Sequence, residues 1–194
     1  MLKVPPRAVG VDPRPRMMAA ARERWPEAEF REAGAEDLPF ADGSVRGYRA
    51  DKVVHVLQEP GRAVAEARRV LCPGGRIALV GQVWGAIMID SDDAAFTRTI
   101  VHARADLLGT PRAGRQYRSL LLAGGFDDVT VEAHTSVFTD PATLSLLARL
   151  AEPACAGGAV GRDQADEWLA EQRRRAEAGR LLIAIPFFVA SASA

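Results

Sequence analysis

The chain has 194 residues, of which 48% are apolar and 26% are charged, a composition typical of a soluble globular protein of one domain, or of one domain with a helical annex. Lysine plus arginine and aspartate plus glutamate number 25 each, so a formal net charge of zero gives no field that favours nucleic acid or an anionic membrane. No apolar run approaches the roughly 20 residues that span a bilayer, and residues 1–10 contain no apolar core of signal-peptide length.

The first half of the chain alternates short apolar segments with amphipathic helices. Strands are predicted over 8–12, near 29–32, over 45–50 and over 76–83. Helices are predicted over 17–25 and 60–71. The second helix begins at Pro60, where the first turn tolerates proline, and ends at the turn Pro73-Gly74-Gly75. This alternation predicts a parallel sheet with right-handed crossovers.

After residue 84 the pattern becomes mainly helical. Helices are predicted over 92–107, 115–123, 140–150 and 163–178, and strands over 129–133 and 181–190. Pro186 cannot donate a ladder hydrogen bond, which predicts a bulge or an edge-facing position in the last strand. The arginine run 173–175 is interpreted as a solvated helix face with Glu171 and Glu177 as i,i+4 partners.

Acidic residues follow the first two predicted strands. Asp12 ends the first strand, and Glu36 and Asp37 come after the second. In a doubly wound sheet both positions lie at the carboxyl edge, where an acid can accept hydrogen bonds from ribose hydroxyls. These residues therefore indicate an adenosine-type ligand, although an Asp before a Pro is also a common turn former and helix cap.

Four segments in order resemble the Rossmann-like S-adenosylmethionine-dependent methyltransferases, in particular the group with the menaquinone and ubiquinone C-methyltransferases. They are VGVDP (9–13), AEDLPF (35–40), RADKV (49–53) and AEARRVLCPGGR (65–76). The resemblance implies an α/β fold with a mostly parallel sheet, an antiparallel C-terminal strand and helical lid insertions. It divides one domain into a cofactor-binding half over 1–84 and, over 85–194, a lid and substrate region with the last two strands of the same sheet.

The resemblance also assigns roles to residues. The implied cofactor-binding residues are Asp12, Gly34, Ala35, Glu36 and Asp51. Asp12 would hold the ribose, the loop at 34–36 would border the adenine with Leu38 packed against it, and Asp51 would lie beside the methionine end. The implied activity is methyl transfer from S-adenosylmethionine to a small-molecule acceptor, without a metal.

One part of the family pattern has no counterpart in this sequence. Only residues 1–6 precede the strand that the family counts as its second, so its first strand, glycine-rich loop and first crossover helix are missing. In the family's sheet the missing strand lies between two others, so the edges beside it are expected to close up, dimerise or destabilise the fold. A truncated gene model and a shortened protein are both open interpretations, and the shortened chain is a candidate for inactivity.

Methyl transfer depends on aligning the acceptor, so a catalytic base is optional. If a base is needed, His55 is the candidate closest to the expected site, ahead of His102 and His134. Trp84, Phe96 and Tyr117 are candidates for pocket lining, although core packing is the simpler interpretation of aromatic residues at helical spacing.

Two other functions stay open at this point. A NAD(P)-dependent oxidoreductase shares the acid after the second strand. A non-catalytic remnant that acts as a homodimer or binding protein would follow from the unpaired edges. Cys72 and Cys155 lie in no CxxC pattern, which favours a reducing compartment and hence the cytoplasm.

Overall fold

The predicted strands and helices occur in the predicted order, and the structure adds one two-residue strand at Met88–Ile89 that the sequence analysis does not predict. The computed structural model describes residues 8–194, so the prediction for residues 1–10 lies mostly outside the described residues. The strands are β1 (Val9–Val11), β2 (Glu29–Arg31), β3 (Val45–Asp51), β4 (Leu71–Gln82), β5 (Met88–Ile89), β6 (Asp127–Phe138) and β7 (Ile183–Ser193). The α-helices are α1 (Pro15–Arg24), α2 (Pro60–Val70), α3 (Ala94–Asp106), α4 (Ala113–Ala123), α5 (Leu144–Ala156) and α6 (Arg162–Glu177). Short 3-10 helices cover Val54–Val56, Trp84–Ala86 and Pro141–Thr143.

The described strands form two sheets. β1 pairs in parallel with β2, and β3 pairs in parallel with β4. β4, β5 and β6 all pair antiparallel with β7, which gives a five-stranded sheet in the order β3-β4-β7-β5 with β6 also bonded to β7. The predicted α/β class with parallel strands and an antiparallel C-terminal strand is confirmed.

β1 and β3 each have one bonded neighbour within residues 8–194. β1 pairs only with β2, and β3 pairs only with β4. The other edge of each strand carries no ladder, and on β3 the side chains of Arg46 and Arg49 are exposed. Within the described residues β1 and β3 therefore each keep one open edge, as the absence of the family's first strand predicts, and the two sheets do not close into one.

β4 begins at Leu71, earlier than the predicted start at Arg76. Val45 pairs with Leu71 and Gly47 pairs with Arg76, so the residues between them loop out of the ladder. Gly74 has a φ of 73°, a conformation that glycine adopts without strain. The turn at Pro73–Gly75 is thus present, but it interrupts a strand that the hydrophobic pattern alone would start after it.

Pro186 lies in the central strand β7 rather than at an edge. Its carbonyl accepts from the amide of Val83, so its nitrogen also faces the β4 side. There β7 changes partners: its pairing with β4 ends at Phe187, and its pairing with β5 begins at Ala184. The missing N–H therefore falls at the junction of two ladders, where it costs no hydrogen bond.

Buried apolar side chains form two clusters. One packs α2 and α4 against β3, β4 and β7 through residues that include Val64, Tyr117, Leu121, Ile77 and Leu79. The other packs α3, α5 and α6 against β7 through residues that include Ile100, Leu150, Trp168 and Ile183. Tyr117 is fully buried in the first cluster, and Phe96 and Trp84 pack at the margin of the second, so core packing accounts for much of each aromatic residue.

A polar network ties α6 to the segment between β5 and α3. Arg175 donates to the carboxylates of Glu171, Asp90 and Asp92, each at 2.6 Å. Glu171 also accepts from the hydroxyl of Ser91 at 2.9 Å and from the amide of Asp92 at 2.8 Å. The side chain of Arg175 is only 16% exposed, so the predicted solvated face is wrong for this residue, while its i,i+4 partner Glu171 is confirmed.

We expect the stability of the fold to depend on the ionisation of Glu171. Burial raises its pKa, but the hydrogen bonds from Asp92, Arg175 and Ser91 outweigh burial and hold the pKa below its ordinary value. A depressed folded-state pKa contributes stability that is present above the ordinary value, about 4.3, and is lost as pH falls through the folded pKa. Glu171→Gln should therefore lower the free energy of unfolding at pH 7 and lose that effect in acid.

Urea unfolding of wild type and Glu171→Gln between neutral pH and about pH 3 measures this difference. Glu152→Gln is the matched control, because Glu152 also pairs with an arginine, Arg162, but at the surface. Equal effects of the two substitutions at pH 7 would contradict a special contribution from Glu171.

Candidate functional site

The predicted binding residues lie at the carboxyl ends of the parallel strands. Asp12 follows β1 and the loop 34–36 follows β2. Val11 pairs with Arg31, so Asp12 and the chain after β2 leave the small sheet at the same edge. Asp51 ends β3 opposite Val80 of β4, at the carboxyl edge of the larger sheet. The site residues thus form two groups, one on each sheet.

The carboxylate of Asp12 is engaged by Arg14. Its Oδ1 accepts from the amide of Arg14 at 2.9 Å and from Nε at 3.0 Å, and its Oδ2 accepts from Nη2 at 3.0 Å. The side-chain hydrogen bond from Arg14 is the largest cause that holds the pKa of Asp12 below its ordinary value. Asp12 is therefore ionised at neutral pH, and two thirds of the Arg14 side chain is exposed, which makes this pair weak and displaceable.

The loop after β2 forms a turn with an open backbone. The amide of Asp37 donates to the carbonyl of Gly34 at 3.3 Å. A Cβ at Gly34 would meet nothing closer than the amide nitrogen of Glu36 at 3.9 Å, so the space beside this turn is unfilled. Leu38 is buried, and its amide donates to Glu66 of α2 at 2.8 Å, which fixes the far end of the loop.

The chain turns sharply after β3. Asp51 is exposed and pairs with Arg49 at 3.1 Å. Lys52 has a φ of 58°, which is uncommon for a residue with a side chain, and its amide donates to the carbonyl of Val80 at 2.8 Å. This strained turn directs the chain into the 3-10 helix that carries His55.

His55 is buried and lies against Trp84. It is 7% exposed, and its ring centroid lies 5.7 Å from that of Trp84 at an interplanar angle of 48°. Burial is the largest cause that lowers the pKa of His55, and the charges of Arg104 and Lys52 add to it. The imidazole is therefore neutral at pH 7 and able to accept a proton. His102 is exposed, and His134 is exposed and bonded to Glu132 at 3.2 Å, so neither shares this environment.

Three buried polar atoms without partners belong to residues at or just after the carboxyl ends of β3 and β4. Within residues 8–194, His55 Nδ1, Gln82 Oε1 and Trp84 Nε1 are shielded from solvent and form no hydrogen bond. Gln82 ends β4, Trp84 begins the next 3-10 helix, and the guanidinium of Arg104 lies 4.6 Å from the centroid of the Trp84 ring. An unpartnered buried polar atom is costly, so an ordered water is an expected partner for each of these atoms.

Sequence reasoning placed His55 here but missed Arg104 and gave Gln82 no role. Arg104 reaches the site from α3, which belongs to the distant half of the sequence, and no local pattern predicts that approach. For Gln82, the available signal was a polar residue at the carboxyl end of a buried strand. No group of three or more His, Cys, Asp or Glu side chains in the described part of the chain is arranged to hold a metal ion.

Sequence comparison finds a methyltransferase family and relatives that include methyltransferases. Residues 1–79 match the model of the methyltransferase domain family. An uncharacterised 37.1 kDa protein of a Streptomyces fradiae transposon is 36% identical over 138 residues, which are 69% of this chain and 40% of that protein. The demethylmenaquinone methyltransferase of Chlorobaculum parvum is 40% identical over 76 residues, which are 39% of this chain and 32% of that enzyme. The chain thus spans less than half the length of these relatives.

Structure comparison finds the same fold at low sequence identity. The YcgJ protein of Bacillus subtilis superposes with a TM-score of 0.61 at 16% identity, covering 96% of this chain and 82% of that one. The phosphoethanolamine N-methyltransferase 2 of Haemonchus contortus, solved with S-adenosylhomocysteine, gives a TM-score of 0.53 at 16% identity, covering 94% of this chain and 43% of that one. At these identities the likeness establishes the shared fold.

Proposed function

Because this chain has the Rossmann-like fold of S-adenosylmethionine-dependent methyltransferases, we propose that it binds S-adenosylmethionine and methylates a small-molecule acceptor. The observation that carries the proposal is the position of Asp12, an ionised carboxylate at the carboxyl end of β1, beside the open turn after β2. A carboxylate in this position suits a ligand that presents paired hydroxyl donors.

The residues of the small sheet fit the nucleoside part of the cofactor. The two oxygens of Asp12 accept hydrogen bonds only, which matches the two hydroxyls of ribose. The unfilled space at Gly34 leaves room for the edge of a base beside Ala35 and Glu36. Arg14, which now occupies the carboxylate, would have to rotate away, and its exposure makes that rotation inexpensive.

The residues of the larger sheet fit the reacting part. Bound S-adenosylmethionine supplies an electrophilic methyl group. Asp51 lies at the carboxyl end of β3, where its carboxylate can attract the amino group of the methionine moiety. His55 is neutral and buried one turn further on, so it can accept a proton from an acceptor that must lose one. These roles support methyl transfer by a cofactor that reaches the carboxyl ends of both β1 and β3.

Calorimetric titration with S-adenosylhomocysteine tests the proposal on the whole chain. We expect saturable binding by wild type and a loss of affinity of about tenfold to a hundredfold in Asp12→Ala, because hydrogen bonds to a charged group contribute about 1.5 to 3 kcal/mol. Arg14→Gln should bind at least as tightly as wild type, since it frees the carboxylate of Asp12 from its internal partner.

Glu29→Ala is the matched control, because Glu29 is an exposed, arginine-paired acid at the opposite end of the small sheet. It should bind like wild type. A folded wild-type chain that binds no S-adenosylhomocysteine would overturn the proposal and favour the non-catalytic, dimeric interpretation.

Both cysteines are free in the structure, which supports a reducing compartment such as the cytoplasm for this reaction.

A further inference from the structure

The hydrogen bonds between the small sheet and the rest of the fold are concentrated on one helix. Within residues 8–194 the two sheets share no strand ladder. The hydrogen bonds that join residues 8–43, which contain the small sheet, to residues 45–194 all end at Glu66 or Arg69 of α2. We refer to these two residues as the α2 clamp. The clamp is thus the hydrogen-bonded connection between the two sheets.

The α2 clamp holds the backbone of the segment that follows β2. The amide of Leu38 donates to Oε1 of Glu66 at 2.8 Å, and the carbonyl of Leu38 accepts from Nη2 of Arg69 at 3.2 Å. Nη1 of Arg69 donates to the carbonyl of Phe40 at 2.9 Å and to the carboxylate of Asp42 at 2.6 Å. Alternate residues of this segment are therefore bonded to α2.

The two residues of the clamp are also bonded to each other. Nε and Nη2 of Arg69 donate to the two carboxylate oxygens of Glu66 at 2.8 and 2.6 Å, a bidentate pair. The Glu66 side chain is 13% exposed, and the hydrogen bond from Arg69 is the largest cause that holds the pKa of Glu66 below its ordinary value. The pair is therefore charged at neutral pH, and its bidentate geometry fixes both side chains.

The proposed site is divided between the two parts of the molecule that the clamp connects. Asp12 and the turn at Gly34 lie with the small sheet, and Leu38 follows that turn by four residues. Asp51 and His55 lie with the larger sheet. A cofactor that contacts both groups gains its full affinity only if the two groups are already correctly spaced in the free protein.

We infer that Glu66 and Arg69 are positioning residues, which hold the nucleoside half of the proposed site in place relative to the reacting half. They act through the backbone of 38–42, which continues from the turn at 34–36. The inference rests on the proposed function, because it concerns the affinity of that same site. Loosening the clamp should weaken a ligand that spans both halves more than a ligand confined to one half.

The substitution Arg69→Met tests this difference between ligands. S-adenosylhomocysteine would span both halves, whereas adenosine would contact only the half on the small sheet. In titrations followed by NMR, we expect Arg69→Met to bind S-adenosylhomocysteine about tenfold more weakly than wild type, and adenosine less than about threefold more weakly. Arg69→Lys should lie between wild type and Arg69→Met, because one ammonium group cannot replace the planar fork that reaches Glu66 and the segment together.

Hydrogen exchange of the free protein tests the clamp without any ligand. The amide of Leu38 should exchange about tenfold faster in Arg69→Met, the factor expected for the loss of one hydrogen bond. The amide of Leu79, in the buried strand β4, should exchange at its wild-type rate. Local loosening produces this pattern, whereas a general loss of stability accelerates the exchange of both amides.

Arg68→Met is the matched control, because Arg68 precedes Arg69 in α2 but donates to the carbonyl of Gly125, just beyond α4. It should bind both ligands and exchange like wild type. Unchanged behaviour of Arg69→Met, equal losses of affinity for the two ligands, or equal acceleration at Leu38 and Leu79 would contradict the inference alone. A folded wild-type chain that binds neither ligand would contradict the proposed function, and the inference with it.

Discussion

Arg175→Met should lower the free energy of unfolding by about 3 kcal/mol, since breaking a buried ion pair strands the remaining charge. Methionine replaces most of the apolar stem but none of the three hydrogen bonds to Asp90, Asp92 and Glu171. Glu171, whose side chain is 11% exposed, would keep only its bonds from Ser91 and the amide of Asp92. Urea unfolding at pH 7, followed by circular dichroism, measures the loss.

Arg173→Met is the control for this substitution. Arg173 lies two residues earlier in α6 and is exposed, so its replacement should leave the unfolding curve unchanged within error. Arg175→Lys should fall between wild type and Arg175→Met, because one ammonium group cannot reach three carboxylates with the planar fork of arginine. A curve for Arg175→Met that coincides with that of Arg173→Met would show that the network contributes nothing to stability.

The contacts of Arg175 show which interactions the sequence predicts and which it does not. The i,i+4 spacing predicts the pair of Glu171 with Arg175, because helix geometry alone brings them together. It does not predict Asp90 and Asp92, which arrive from the segment after β5, a two-residue strand with no pattern of its own. Those two carboxylates and the tertiary packing are what bury Arg175, so a surface assignment was the natural local prediction.

In the candidate site, too, the sequence predicts the positions of residues along the strands but not their tertiary contacts. Asp12, Asp51 and His55 could be placed at strand ends from periodicity and resemblance, because parallel strands bring their carboxyl ends to one edge. Arg14 lies only two residues from Asp12, but the sequence does not predict their hydrogen bonds. An exposed arginine can reach several acceptors, and no local pattern favours one of them. The contact of His55 with Trp84 depends on how β3 and β4 pair, which the sequence pattern leaves open.

Gly81→Ala should destabilise the fold by about 3 kcal/mol, the upper range for overpacking a core. A Cβ at position 81 of β4 would overlap the hydroxyl of Tyr117, while the ring carbon Cζ would lie at an ordinary contact distance of 3.5 Å. Tyr117 is fully buried against α2, β3 and β4, so its ring cannot move aside. The collision is therefore confined to one oxygen atom.

Because the overlap involves only the hydroxyl oxygen of Tyr117, a double-mutant cycle of Gly81→Ala with Tyr117→Phe tests its cause. Burial is the main cause that raises the pKa of Tyr117 to about 12, and its hydroxyl is a buried group without a partner in residues 8–194. Tyr117→Phe alone should thus be neutral or slightly stabilising, because it removes an unsatisfied polar atom. Combined with Gly81→Ala, it should restore most of the lost stability, a coupling of about 2 kcal/mol. A double variant as unstable as Gly81→Ala alone would mean that the strand backbone, and not the Tyr117 hydroxyl, excludes a side chain at this position.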